Sequence, residues 1–207
     1  MAHPVLRKLA VAGLATAAAL AAGVLAPAPA SALTPRVELV NVSTNLRADV
    51  MWASTADATG AFLWPDNTSA SQLFDLQSTG GGWFTIKARH SGKCLMIRRN
   101  VGTVGNGTPL AQYPCTGQGY QSEQWKFVPM MLNCEAQALC LDTGQRVIVN
   151  RYSGRCIDTA NPSGRKPQQQ AVLQLWDCIT TPKAWNADNQ IWKIFDPATR
   201  RTITQPY

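Results

Sequence analysis

Metal and nucleophile chemistry have little to work with in this chain. Beyond residue 32 it carries a single histidine, His90. It has no Cys-x-x-Cys pair and no Gly-x-Ser-x-Gly segment, so neither a common zinc arrangement nor a nucleophile elbow is present. His90 adjoins Ser91 in a turn-forming stretch, and neighbours in sequence are poorly placed for proton transfer between their side chains. Only Glu38, Glu123 and Glu135 join nine aspartates, and no two acids are marked out for two-carboxylate hydrolysis. Charge is not concentrated either: 19 Lys+Arg face 12 Asp+Glu, in clusters no larger than Arg98-Arg99 or Arg200-Arg201, which argues against a nucleic-acid-binding face. Past the N-terminus no stretch sustains a helical period, because Pro, Gly, Asn and Ser clusters interrupt the chain too often. The chain therefore reads as non-catalytic, with no cofactor and no metal.

What is present begins with a targeting segment. Arg7 and Lys8 precede an apolar run, Leu9–Leu25, and Ala30-Ser31-Ala32 offers small residues where a signal peptidase reads them. The run is Ala-rich, short for a membrane span, and followed by Pro27 and Pro29. Cleavage after Ala32 leaves 175 of the 207 residues and lowers the formal net charge from +7 to about +5. A secreted, extracellular protein is expected, with no membrane span. All six cysteines follow this segment, as suits an oxidising compartment.

The chain then repeats itself. Its clearest segment reads Asn150-Arg-Tyr-Ser-Gly-Arg-Cys-Ile-Asp158, then Gln174-Leu-Trp-Asp-Cys178, then Asn189-Gln-Ile-Trp-Lys-Ile194. A second copy reads Ala88-Arg-His-Ser-Gly-Lys-Cys-Leu-Met96, Ala111-Gln-Tyr-Pro-Cys115 and Ser122-Glu-Gln-Trp-Lys-Phe127. A fainter one reads Asn45-Leu-Arg-Ala-Asp49, Phe62-Leu-Trp64 and Ser71-Gln-Leu-Phe74. Three copies in one small chain imply a three-fold architecture. Equivalent positions predict the bridges Cys94–Cys115 and Cys156–Cys178, which leaves Cys134 and Cys140 to close a small loop. The first copy has no cysteine at either place.

Short runs such as Trp83–Lys87, Gln124–Val128, Arg146–Asn150, Ala171–Trp176 and Gln190–Ile194 have strand character, with turn signals at Ser91-Gly92, Asn106-Gly107 and Ser153-Gly154. An all-β domain follows. From Phe74 to Trp125 is 51 residues and from Trp125 to Trp192 is 67. The excess of 16 residues matches an insertion at Met130–Gln145.

The Gln-x-Trp-like segments Gln72-Leu-Phe74, Glu123-Gln-Trp125 and Gln190-Ile-Trp192, with the Ser-Gly-basic-Cys turns at 91–94 and 153–156, resemble the ricin B-type lectin family over Val37–Pro197. The resemblance implies a β-trefoil of three pseudo-symmetric four-stranded units. With the signal peptide read at 1–32 and a short leader at 33–36, the lectin domain it implies spans 37–207. The units lie at about 37–80, 81–129 and 146–197, with a disulfide-closed insertion at 130–145. Phe74, Trp125 and Trp192 become the candidate core layer, each removing roughly 150–250 Å² from water.

The same resemblance places a sugar site in each unit. In the third, Asp158 would accept ring hydroxyls, Trp176 would stack on the ring, Asn189 would bond a hydroxyl, Gln190 would brace Asp158, and Gln174 would share the Trp176 face. In the second, Met96, Ala111 and Ser122-Glu123 replace the acid, the Gln and the Asn-Gln, so that pocket is expected to be silent. In the first, Asp49 and Trp64 form a weaker candidate, with Phe62 and Ser71 in place of the amides. The implied function is a secreted lectin that binds a sugar such as galactose, or a plant or cell-surface polysaccharide. The alternative is a protein-binding trefoil, a protease inhibitor or toxin subunit, that uses the insertion to dock.

Overall fold

The strand-forming runs become strands in the order the repeats require. The computed structural model describes residues 36–117, 119–132, 141–161, 166–179 and 188–204. The expected signal peptide and the Cys134–Cys140 pair lie outside the described residues. The first unit comprises β1 (Arg36–Asn41), β2 (Arg47–Val50), β3 (Ala61–Trp64) and β4 (Phe74–Gly80). The second comprises β5 (Trp83–Ala88), β6 (Cys94–Ile97), β7 (Leu110–Tyr113) and β8 (Gln124–Leu132). The third comprises β9 (Leu141–Asn150), β10 (Cys156–Thr159), β11 (Leu173–Trp176) and β12 (Trp192–Asp196), with a short β13 (Arg201–Thr202) beyond it.

The outer strands of each unit close a six-stranded antiparallel ring. β1 pairs β4, β4 pairs β5, β5 pairs β8, β8 pairs β9, β9 pairs β12, and β12 returns to β1. Closure leaves this ring no free edge. The inner strands form three hairpins, β2–β3, β6–β7 and β10–β11, with matching registers: Asp49 lies opposite Phe62, Met96 opposite Ala111, and Asp158 opposite Gln174. Single bridges join the hairpins to one another, Gly60 to Ala111, Phe62 to Val172 and Pro109 to Gln174. This is a β-trefoil.

One turn, written three ways, starts each hairpin. Gly92 and Gly154 take left-handed φ values of 69° and 68°, and their amides donate to the carbonyls of Ala88 and Asn150. The first unit has no glycine there. Asn45 adopts φ 58° and donates to Asn41, and asparagine tolerates that region better than most residues.

Phe74, Trp125 and Trp192 are fully buried in one core cluster with Leu39, Leu63, Ile86, Leu95, Ile148 and Ile157. Both indoles also tie the ring to the hairpins. Trp125 Nε1 donates to the Leu95 carbonyl at 2.9 Å, and Trp192 Nε1 donates to Ile157 at 3.2 Å. A phenyl ring at position 74 cannot make that bond.

Cys94–Cys115 and Cys156–Cys178 are bridged, each with a Cα–Cα distance of 5.0 Å. In register, Cys94 faces Tyr113 and Cys156 faces Trp176, while in the first unit Arg47 faces Trp64. Arg47 thus occupies the first cysteine position, and Asp66, two residues past Trp64, occupies the second. The two are joined by an ion pair at 3.1 Å. Where two units have a covalent bridge, the first has a salt bridge, extended by Arg47 to the buried Glu38 at 3.2 Å.

The insertion begins as a continuation of the ring. β8 runs to Leu132 and β9 starts at Leu141, with Met131 opposite Asp142. Residues 130–132 and 141–145 therefore lengthen the β8–β9 hairpin, and the third unit starts earlier than residue 146. The pairing extends past the ring through a register shift between Pro129 and Met131. At the base of this hairpin the buried Arg146 guanidinium makes two bonds to Asp142, at 2.7 and 2.8 Å, and also donates to the Thr204 carbonyl.

Candidate functional site

Three-residue 3₁₀ turns immediately precede the ring strands β4, β8 and β12, at Ala70–Gln72, Gln121–Glu123 and Asp188–Gln190. Each brings its last two side chains towards the acid position of the adjacent hairpin. The outcome differs from unit to unit.

In the third unit, Asp158 is buried and gathers three amides. Gln174 Nε2 donates to Oδ1 at 2.9 Å, and Asn189 Nδ2 and Gln190 Nε2 donate to Oδ2 at 2.6 and 3.1 Å. Gln190 is itself fixed, donating to the Asp177 carbonyl and accepting from the Ile179 amide, both at 3.1 Å. A carboxylate offers about four acceptor positions, so these bonds fill three and leave one on Oδ1. Burial pushes the Asp158 carboxyl up from its ordinary value, and the Gln174 and Gln190 bonds draw it part of the way back.

Trp176 lies two residues from Gln174 on β11, on the same side of the sheet. Its indole is 44% exposed although its strand neighbour Leu175 is fully buried. A network of Asn106, Arg155 and Asp177 holds the loop beside it: Asn106 Nδ2 donates to Asp177 at 2.9 Å, and Arg155 Nε lies 3.2 Å from Asp177. The arrangement offers a fixed acceptor next to an open aromatic face.

The first unit reproduces half of this. Gln72 Nε2 donates to the buried Asp49 at 2.9 Å and to the Pro65 carbonyl at 2.8 Å, just as Gln190 serves Asp158. Burial raises the Asp49 carboxyl, opposed by bonds from Ser71 and Gln72 and by the charge of His90. Phe62 stands opposite Asp49 and donates nothing. It joins an aromatic cluster instead, 5.2 Å from Trp64 and 5.5 Å from Trp52 between ring centroids. Trp52 is 73% exposed and adopts φ 60°, a strained choice for a bulky side chain. Sequence reasoning missed Trp52, because it belongs to no repeated motif.

The second unit has a different chemistry. Met96 and Ala111 are fully buried opposite one another, with no acceptor between them. Glu123 takes the place of Gln190: its Oε2 accepts the Thr116 amide at 2.9 Å, but its buried Oε1 has no hydrogen-bond partner among the described residues. The Arg99 guanidinium covers the face of Tyr113, with its central carbon 4.6 Å from the ring centroid, and reaches the Met96 sulfur at 3.8 Å. A ring seeking to stack on Tyr113 would have to displace it. Gln112 is turned away to brace the first unit's loop, donating to the carbonyls of Ser54 and Ala56 at 2.7 and 2.9 Å. His90 Nε2 lies 2.9 Å from that same Ser54 carbonyl, a structural contact. Among the described residues no cluster of His, Cys, Asp or Glu suits a metal ion, and no helix is long and apolar enough to cross a membrane.

A family model described as a ricin-type beta-trefoil lectin domain-like matches residues 30–113 and 79–176, well over half the chain. The chain belongs to the ricin-type β-trefoil lectin family. The lectin family gives carbohydrate binding as its general function. No curated protein matches the chain. Among solved structures, the designed three-fold symmetric protein ThreeFoil is similar at 24% identity and a TM-score of 0.60, over 77% of this chain and 96% of that one. The exo-beta-1,3-galactanase 1,3Gal43A from Clostridium thermocellum is similar at 27% identity and a TM-score of 0.60, over 78% of this chain but only 30% of the enzyme. The ricin B-like lectin of Macrolepiota procera, solved with lactose, is similar at 18% identity and a TM-score of 0.55, over 80% of this chain and 97% of the lectin.

Proposed function

We propose that the chain is a secreted, non-catalytic lectin that binds one galactose-type sugar through its third unit. One observation carries this reading: the Asp158 carboxylate, immobilised by three amides, sits beside the open Trp176 ring. The apolar C–H face of a pyranose stacks on the indole while a ring hydroxyl donates to the remaining position on Asp158 Oδ1. A second hydroxyl exchanges for the Asn189 or Gln174 amide, so adjacent hydroxyls on one edge of the sugar are recognised together. Because the acceptor and its braces are already in place, little ordering is required on binding. The lactose in the Macrolepiota complex and the galactan substrate in the name of the Clostridium enzyme make galactose the first sugar to test.

Secretion rests on the N-terminal sequence and agrees with the two disulfides. The absence of catalysis rests on the surroundings of Asp158, whose bonded neighbours are amides rather than a second acid. One site on one sugar gives weak attachment, with Kd on the order of 0.1–1 mM, so tight binding would come from multivalent targets.

The test is an immobilised-glycan panel probed with the mature protein and with Asp158→Ala and Trp176→Ala. Galactose-terminated glycans are expected to bind the wild type and neither variant. Binding that survives Asp158→Ala would refute the site. Failure of every glycan would favour the protein-binding alternative, with the lengthened β8–β9 hairpin as its docking element.

A further inference from the structure

Between the second unit and the start of the third lies a cleft of about 650 Å³, within the roughly 300–1,000 Å³ typical of small-molecule sites. Among the described residues its lining includes Arg98, Arg99, Tyr120, Ser122 and Tyr152, and no acidic residue. Neither arginine has a carboxylate partner among the described residues, although six other ion pairs are formed there. Arg99 is held by ring faces instead, 4.6 Å from the Tyr113 centroid and 5.6 Å from that of Tyr120, and among the described residues its side chain donates only to the weak Met96 sulfur. Two arginines that line one cleft are thus without a carboxylate partner among the described residues.

Two further features point to a ligand. The Ser122 hydroxyl is buried at the cleft wall with no hydrogen-bond partner among the described residues. Tyr120 and Tyr152 are 42% and 63% exposed, two of only four large exposed aromatics among the described residues. The other two are Trp52 and Trp176.

We propose that this cleft binds an acidic pyranose, a sugar ring bearing a carboxylate or a sulfate. The planar, fork-like guanidinium groups of Arg98 and Arg99 match two oxygens of such a group, which a neutral sugar cannot supply. The tyrosine rings take the apolar face of the pyranose, and Ser122 takes a hydroxyl. The loss of the acid at Met96 then has a reason: a carboxylate beside Arg99 would neutralise it. The proposal rests on the carbohydrate reading of the fold, but uses none of the residues gathered around Asp158.

The test is calorimetric titration of galacturonic acid, galactose 6-sulfate, galactose and inorganic sulfate into the mature protein, into Asp158→Asn, and into Asp158→Asn carrying Arg98→Gln or Arg99→Gln. Asp158→Asn is expected to lose galactose and keep at least one acidic sugar. Adding either arginine change should weaken that sugar by about tenfold, the scale of one charge-assisted contact. Raising NaCl from about 50 to about 300 mM should weaken it further, since these charges are exposed. Arg98→Gln at an exposed position keeps the test valid if Arg99→Gln disturbs packing on Tyr113. Retention of carboxylate alone or of sulfate alone identifies which anion is read. The proposal is overturned if neither acid binds Asp158→Asn, if Arg98→Gln leaves binding unchanged, or if inorganic sulfate binds as well as galactose 6-sulfate. Loss of galactose from the wild type, with the acid retained, would sink the third-unit site and leave this one standing.

Discussion

Replacing Arg47 and Asp66 by cysteine should give the first unit the bridge that the other two possess. The native bridges close separations of 21 and 22 residues. A 47–66 bridge would close a similar loop, worth about 3 kcal/mol by the loop-entropy argument. Loss of the Arg47–Asp66 pair costs little, because the Asp66 side chain is 45% exposed and such pairs contribute about 0–1 kcal/mol. Glu38 is the obstacle. Its carboxyl is already raised by burial and held down by Arg47, so removing Arg47 strands a buried charge at a cost of about 3–5 kcal/mol. Arg47→Cys/Asp66→Cys alone should therefore gain nothing near neutral pH. With Glu38→Gln added, it should exceed the matching Glu38→Gln/Arg47→Ser/Asp66→Ser variant by about 3 kcal/mol, or roughly 6–12 °C in Tm. Peptide mapping verifies the bridge and thermal unfolding measures its effect. Free thiols at 47 and 66 in the oxidised protein would refute the equivalence of the three hairpins.

Trp192→Phe should destabilise the fold by about 1–3 kcal/mol, because the buried Ile157 carbonyl loses its donor; urea unfolding measures it. Trp176→Ala should cost under about 1 kcal/mol by the same assay, since that ring is nearly half exposed, so its loss of sugar binding would not reflect unfolding. Acid should separate binding from stability at Asp158. Its folded carboxyl is raised above 3.8, so between 3.8 and that raised value the unfolded state ionises first and the folded state is penalised. Lowering the pH from 7 to about 4 should thus weaken sugar binding by protonating the acceptor, while the wild type gains stability relative to Asp158→Asn. Asp142, lowered first by its bonds to Arg146, runs the other way and cancels in that comparison.

Much of this was legible because trefoil repeats fix residues at constant offsets. The aromatic at the start of each closing strand and the Asp-Gln-Trp-Asn-Gln set of the third unit sit on strands or on one short turn, where spacing dictates position, and the paired cysteines keep fixed offsets from them. Sequence offsets also placed Asp49, and the Asp49–Phe62 register matches that of Asp158–Gln174. The loops were not legible. Trp52 reaches the first unit's platform only through a left-handed backbone turn, and Arg99 covers Tyr113 from an irregular loop. Neither obeys a period of two or of 3.6 residues. The Arg47–Asp66 bridge was hidden for another reason: the motif marks cysteines, and an ion pair in their place looks like divergence.

The central claim is that one site in the third unit, built on Asp158, does the binding. Calorimetric titration of lactose into the wild type and into Asp158→Asn tests it most directly. The account predicts one lactose per chain for the wild type and a loss of at least about thirtyfold in Asp158→Asn, since truncating a buried charged partner costs about 2–5 kcal/mol. One lactose per chain bound with unchanged affinity by Asp158→Asn would contradict it.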